Sequence, residues 1–433
     1  MVLSRGKAPS AQETFVQMAQ AAGLRGRLFL TVGLLILVRL GVFIPVPGID
    51  RAAFAQSIQN NPVFGFLNIF SGGGLSTLGI FALGILPFIN ASIILQLLTA
   101  AVPSLEHLQK EEGEAGRRKI SQITRYVALG WAIIQSTGLA FAARAYAPNW
   151  GPVFVAEFVI ALTAGAMFVM WVSELITERG VGNGASLLLF LNIVATLPIS
   201  VSQTIELAQG GGRVGGVVIL SLVFLVMIVG IVFVQEGTRR IPIISARRQG
   251  GRRMYREQNN FLPLRLNQGG VMPIIFASAV LVLPTFVAQS FRNETVAQIA
   301  GYFSPAGPTP WVYVSFYLVL ILFFSYFYAS LVINPVDLAQ NLKKMGASIP
   351  GIRPGRATSE YIERVLNRLT FLGAIFLGLV AIVPTAVESA TRVTTFRGLG
   401  ATSLLILVGV AIDTAKQIQT YVISQRYEGM VKE

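Results

Sequence analysis

Cysteine is absent from the 433 residues, and histidine occurs once, at His107. Without thiols there is no disulfide, no Cys-ligated metal and no thiol nucleophile. A Ser–His protease acting within a membrane needs a membrane histidine, and a zinc protease needs a His pair. His107 lies instead in the charged stretch 106–119, where solvation is expected. No Gly-Lys-[Ser/Thr] phosphate loop is present, so the chain does not supply ATP energy itself. No cofactor and no enzymatic activity are expected. Charge is scarce as well: Asp, Glu, Lys and Arg make up 12% of the chain, about half the share in soluble domains. Hydrophobic residues make up 53%, and the mean hydropathy is +0.65. Such a chain cannot cover its own surface with polar groups. It reads as an integral membrane protein, not as the roughly three soluble domains its length would otherwise suggest.

Acid is scarcer than base. Lys and Arg number 34 against 20 Asp and Glu, a net charge of +14 and a pI near 10.3. Ten segments approach the roughly 20 apolar residues that a membrane-spanning helix needs: 28–44, 78–102, 126–143, 152–175, 185–201, 214–234, 271–288, 311–333, 369–387 and 399–422. The tenth becomes amphipathic after Asp413. With these spans, and with Lys416 in the amphipathic end of the tenth counted with the C-terminus, 27 Lys and Arg fall at the termini and even-numbered loops, six fall in the opposite loops, and Arg39 lies inside the first span. This asymmetry predicts cytoplasmic termini and even-numbered loops. The first 24 residues contain no apolar core followed by a cleavage site, so no signal peptide is expected there. Ser10 and Glu13 have capping-box spacing, and Phe15, Met18 and Ala22 recur at helical intervals, predicting a short surface helix over 1–27.

The second and seventh spans share a pattern. Leu86-Pro87-Phe88-Ile89-Asn90-Ala91-Ser92 and Met272-Pro273-Ile274-Ile275-Phe276-Ala277-Ser278 carry Pro, Ile, Ala and Ser at the same offsets. Each run belongs to the second span of a five-span half. An odd number of spans gives the halves opposite orientation, an inverted repeat with a path at the repeat interface. The expected halves are 28–205 and 206–422, with a tail, 423–433.

The stretch 60–74 comes after the first span. Asn61 can cap a helix that starts at Pro62, and the apolar run behind it is about 13 Å long as a helix, too short to span. Three glycines then separate it from the second span. The reading is a short re-entrant helix on a hinge, with a loop lying in the interface as the alternative. Ile85, Ile89 and Ile275 read from composition as helix packing, although branched aliphatics can also close a pore by dewetting. Glu157, Glu174 and Asp413 fall near span ends, and Arg39 alone lies deep, where an arginine snorkels or caps carbonyls. Missing midplane acids weigh against an ion- or proton-coupled solute transporter with inverted repeats, the alternative reading. An assembly scaffold would leave the re-entrant segment unexplained.

Two loops are strongly basic. The loop 235–270 holds Arg239, Arg240, Arg247, Arg248, Arg252, Arg253, Arg256 and Arg265, and the loop 334–367 holds Lys343, Lys344, Arg353, Arg356 and Arg364. Topology needs only a few charges. Loops this long suggest docking of an acidic or nucleic-acid partner, and arginine suits bidentate contacts.

At these residues the chain resembles the SecY/Sec61-alpha family of protein-translocase channels over nearly its whole length. The resemblance rests on Ile44-Pro45-Val46-Pro47-Gly48-Ile49, Phe70-Ser71-Gly72-Gly73, the run around Pro87, Glu178-Arg179-Gly180-Val181-Gly182-Asn183-Gly184 and Ile349-Pro350-Gly351-Ile352-Arg353-Pro354-Gly355. It implies an all-α membrane protein of ten helices, two inverted five-helix halves forming a clamshell around an hourglass pore. The pore ring then maps to Ile85, Ile89, Leu189, Ile275 and Ile406, and the plug to Phe64, Phe66, Leu67, Ile69, Phe70, Gly72 and Gly73. A lateral gate falls between spans two–three and seven–eight, with Asn90, Ile93 and Leu283 on its faces. The family often has isoleucine where Leu189 stands and tyrosine where Phe88 stands. The implied function is passage of unfolded secretory polypeptides across the bacterial plasma membrane, with sideways release of apolar segments and signal sequences into the bilayer. The implied partners are the small membrane subunits SecE and SecG, the motor ATPase SecA, and the ribosome. Arg247, Arg252, Arg253, Arg353 and Arg356 are the docking candidates.

Overall fold

The computed structural model describes residues 22–60, 68–110, 113–210, 214–245, 260–278, 280–281, 302, 310–391 and 401–432. The first half runs α1 (Ala22–Gly41), α2 (Arg51–Asn60), α3 (Gly74–Thr77), α4 (Leu86–Ala101), α5 (Pro103–Lys110), α6 (Gly113–Ala142), α7 (Pro152–Arg179) and α8 (Gly184–Gly210). The second runs α9 (Val214–Glu236), β1 (Thr238–Ser245), β2 (Asn260–Arg265), a helical turn at 272–278, α10 (Pro310–Val332), α11 (Pro335–Lys344), β3 (Ala347–Ser348), α12 (Arg356–Thr391) and α13 (Ala401–Lys432). Helix therefore occupies part of each of the ten expected spans. Among the described residues six helices are long and apolar enough to cross a membrane by themselves. The expected N-terminal surface helix lies mostly outside the described residues.

The second span departs from expectation. Apolarity predicts helix from residue 78, but helix begins at Leu86. Before it the chain turns back on the end of α1: Val46 N–H donates to the Leu78 carbonyl and Ile80 N–H to the Ile44 carbonyl, both at 2.9 Å. Gly79 makes this approach possible, because a Cβ there would lie 2.1 Å from the Val42 carbonyl oxygen. Hydropathy cannot distinguish buried irregular chain from helix. Leu78 and Ile85 are both 0% exposed, so protein covers the stretch, the condition for non-helical backbone at membrane depth.

Helix α8, which holds the fifth span, runs past the expected division at 205/206, continuing through polar Gln203 and Glu206 to Gly210. Its partner α13 belongs to the other half; α9 packs on both α12 and α13, and α10 on α12. In the first half α4 packs on α6, α6 on α7, and α7 on α1 and α8. Helix α2 has no counterpart among the expected elements. Asp50 caps it, its Oδ1 accepting from Ala52 N–H at 3.1 Å, and Phe54 is buried edge-on to Tyr146.

The two basic loops form one unit, which hydropathy does not reveal. Strands β1 and β2 pair antiparallel from Thr238↔Arg265 to Ile243↔Asn260, and β3 adds to the far end of β1 through Ile244↔Ser348. Alternation puts Ile241 and Leu264 on the inner face of the hairpin, where they join Leu342, Ile349 and Ile362 in a separate small core.

Candidate functional site

One apolar cluster crosses both halves and gathers all five residues expected for the ring. Ile85, Leu189 and Ile406 are buried in it, and Ile89 and Ile275 pack against it. Ile89, Leu189 and Ile275 also line one cleft of about 360 Å³. Their side chains offer no hydrogen bond. Ile93 lines the same cleft, buried, and Asn90 is half-buried one turn away. Leu283 lies outside the described residues. The cleft also has a polar part. There Arg125 Nε donates to Glu174 Oε1 at 2.9 Å, and Glu178 and Asn183 contribute to the same lining. Glu157 and Asp413 are not buried, so neither is a buried coupling acid.

Ile69 packs against the cluster that holds the five aliphatics, and Phe70 lies within it. Phe64, Phe66 and Leu67 lie outside the described residues. Residues 68–70 are helical, and the helix ends with its backbone groups accounted for. Gly73 N–H donates to the Asn68 carbonyl at 2.8 Å, and Gly72 N–H to the Ile69 carbonyl at 2.9 Å. With Gly72 at φ 65 this is a Schellman end, which favours glycine at the left-handed position. Such an end leaves carbonyls over. The Phe70 carbonyl accepts from Asn192 Nδ2 at 2.7 Å. The Gly72 carbonyl accepts from the Arg39 guanidinium, which also lies 5.3 Å from the Phe43 ring centroid. The deep arginine thus caps a carbonyl. Asn192 was not among the expected residues. Its only sequence signal is a single amide in the apolar run Leu187–Val194, and a neutral polar group does not stand out as an intramembrane charge does.

On the sheet unit, Arg353 is exposed between Gly351 (φ 77) and Gly355 (φ 110), and its carbonyl accepts from Thr358 Oγ1 at 2.9 Å. Arg356 is engaged differently, its Nε 2.9 Å from Glu360 Oε1 one helical turn on. Arg239, Arg240 and Arg265 sit on the hairpin, all three exposed. Arg247, Arg252 and Arg253 lie outside the described residues.

Comparison with known proteins agrees with this geometry. The SecY family model matches residues 79–415. The protein translocase subunit SecY of Synechococcus elongatus is 73% identical over 439 residues, covering 100% of both chains. A solved SecY structure, concerned with a plug domain that stabilises the closed state of its channel and maintains a membrane seal, superposes with a TM-score of 0.68 at 16% identity, covering 96% of this chain and 95% of that one. Canine Sec61 in a ribosome–channel complex superposes with a TM-score of 0.62 at 16% identity over the same shares. At such identity these likenesses establish the fold, that of SecY and Sec61 channels. The family match and the full-length identity go further: the chain belongs to the SecY family of protein-translocase subunits.

Proposed function

We propose that this chain is the protein-conducting channel through which unfolded secretory polypeptides cross the bacterial plasma membrane. The observation that carries the reading is the convergence of Ile89, Leu189 and Ile275 from both halves on one cleft, within a cluster that also holds the end of the 60–74 segment. A channel for chains of any sequence must pass peptide without trapping it, yet hold ions. An aliphatic ring of Ile85, Ile89, Leu189, Ile275 and Ile406 meets both demands, since it deforms around a chain and dewets when empty. The segment from Phe64 to Gly73 acts as a plug and adds a second seal.

Asn90, Ile93 and Leu283 face a seam that opens to lipid. Signal sequences and apolar segments leave there because burial in hydrocarbon is favourable. Both termini and the sheet unit face the cytoplasm, a reading supported by the one-sided distribution of Lys and Arg. Energy comes from outside the chain. SecA and the ribosome dock on the basic sheet unit, and SecE and SecG complete the membrane complex. Support for a ribosome partner comes from the likeness to Sec61 of a ribosome–channel complex. The decisive experiment reconstitutes the protein with the small subunits in vesicles and adds the motor, ATP and an unfolded secretory chain. Protease-protected chain inside the vesicles is expected. Its absence, with correctly inserted channel, overturns the reading.

A further inference from the structure

We infer that Asn192 is a positioning residue for the seal: with Arg39 it latches the C-terminal turn of the plug, so two hydrogen bonds set how readily the channel opens. The inference rests on the plug reading above and adds the residues that hold the plug shut.

The accounting of backbone groups carries it. Around the turn, many polar groups are satisfied within the segment. Ser71 Oγ donates to the Asn68 carbonyl at 3.0 Å and accepts from Leu75 N–H at 3.0 Å. Ser76 N–H donates to Asn68 Oδ1 at 2.8 Å, and Ser76 Oγ donates to the Gly73 carbonyl at 2.8 Å. The turn therefore has its own internal bracing. The carbonyls of Phe70 and Gly72 point outward, and they meet side chains of α8 and α1. Cations and amide donors are favoured at a helix C-terminus, where unpaired carbonyls concentrate negative potential.

The fit is close. Asn192 is 5% exposed on an otherwise apolar stretch of helix, so its amide depends on a protein partner. A Cβ at Gly72 would lie 2.7 Å from Asn192 Oδ1 and 2.9 Å from Arg39 Nη1. Only glycine lets both caps reach the turn at once. The turn is braced from within, and the caps add to that bracing. Both caps bridge the plug to helices of the first half. Displacing the plug breaks the two bonds together and leaves a buried amide without a partner, so the latch opposes opening and reforms on closing.

The test measures resting ion conductance of the reconstituted channel in planar bilayers, with thermal unfolding alongside. Asn192→Leu is expected to raise resting conductance about tenfold, in line with loss of one buried hydrogen bond. Arg39→Met is expected to do the same, and Arg39→Lys, which keeps a donor, is expected to recover part of the seal. The discriminating comparison is a channel lacking residues 64–73. It should leak, and Asn192→Leu should add nothing in that background, because its target is gone. A full seal in Asn192→Leu and Arg39→Met beside a leaking deletion would overturn the latch and leave the plug reading standing. An equal extra leak from Asn192→Leu with and without the plug would assign the residue to helix packing and overturn the latch. A deletion that stays sealed would remove the plug reading itself, and the latch with it. If Asn192→Leu does not fold, Arg39→Met carries the same comparison.

Discussion

Ile89 and Ile275 stand at the same offset of two matching sequence runs, 86–92 and 272–278, and line one cleft from opposite halves of the molecule. Each stands two residues after a proline at the start of a helix, Pro87 and Pro273. Proline suits a first helical turn, whose N–H groups are unpaired in any case. The isoleucine one half-turn later is then carried to the cleft in each repeat. An inverted repeat thus delivers the same side chain twice to a shared interface.

If that pair closes the pore by dewetting, polar side chains should wet it. Ile89→Asn combined with Ile275→Asn is expected to raise resting conductance about tenfold or more. Planar-bilayer recording checks this. Unchanged conductance at normal expression would return both residues to helix packing.

Arg353 should be the sensitive residue of the basic unit. It is exposed on a loop held by the Thr358 hydroxyl, whereas Arg356 already has Glu360. Charge reversal in a docked contact costs several kcal/mol. Arg353→Glu is therefore expected to cut ATP- and motor-driven transport roughly tenfold or more. Arg353→Lys should be intermediate, because it keeps charge without the planar fork, and Arg356→Glu should be milder. Transport with purified motor, measured beside thermal stability, decides. Normal transport by Arg353→Glu would refute the docking role.

The sheet unit has its own core, so it should be separable from the seal. Ile241 is 2% exposed there, and truncation to alanine leaves a cavity costing about 2–5 kcal/mol locally. Ile241→Ala is expected to lower motor-driven transport and increase proteolysis of the hairpin while resting conductance stays at the wild-type value. A leak in this variant would show that the unit and the seal are coupled.

Orientation can be read with single cysteines, since the chain has none of its own. Cysteine at position 292 is expected to react with a membrane-impermeant thiol reagent added outside intact cells, and cysteine at position 253 is not. Outside labelling at 253 would sink the arrangement with both termini in the cytoplasm.

Composition and charge order were enough to indicate membrane class and ten spans, because hydrocarbon thickness and the distribution of Lys and Arg act on the chain segment by segment. The runs around Pro87 and Pro273 were legible for the same reason, being local patterns. Where the second helix starts was not, since the stretch 78–85 is as apolar as helix and is held irregular by its own turns and by its contacts with Ile44 and Val46, which Gly79 makes possible. The strand unit was hidden because its pairings join residues far apart: Ile244 finds Ser348, and Ile241 and Ile362 share one core. The sequence placed Arg39 at depth but could not name what it caps. Only the tertiary structure brought Arg39 and Asn192, from two different helices, to two carbonyls of one turn. An unpaired carbonyl has no sequence signature of its own; it exists only once the helix has ended and its neighbours have packed.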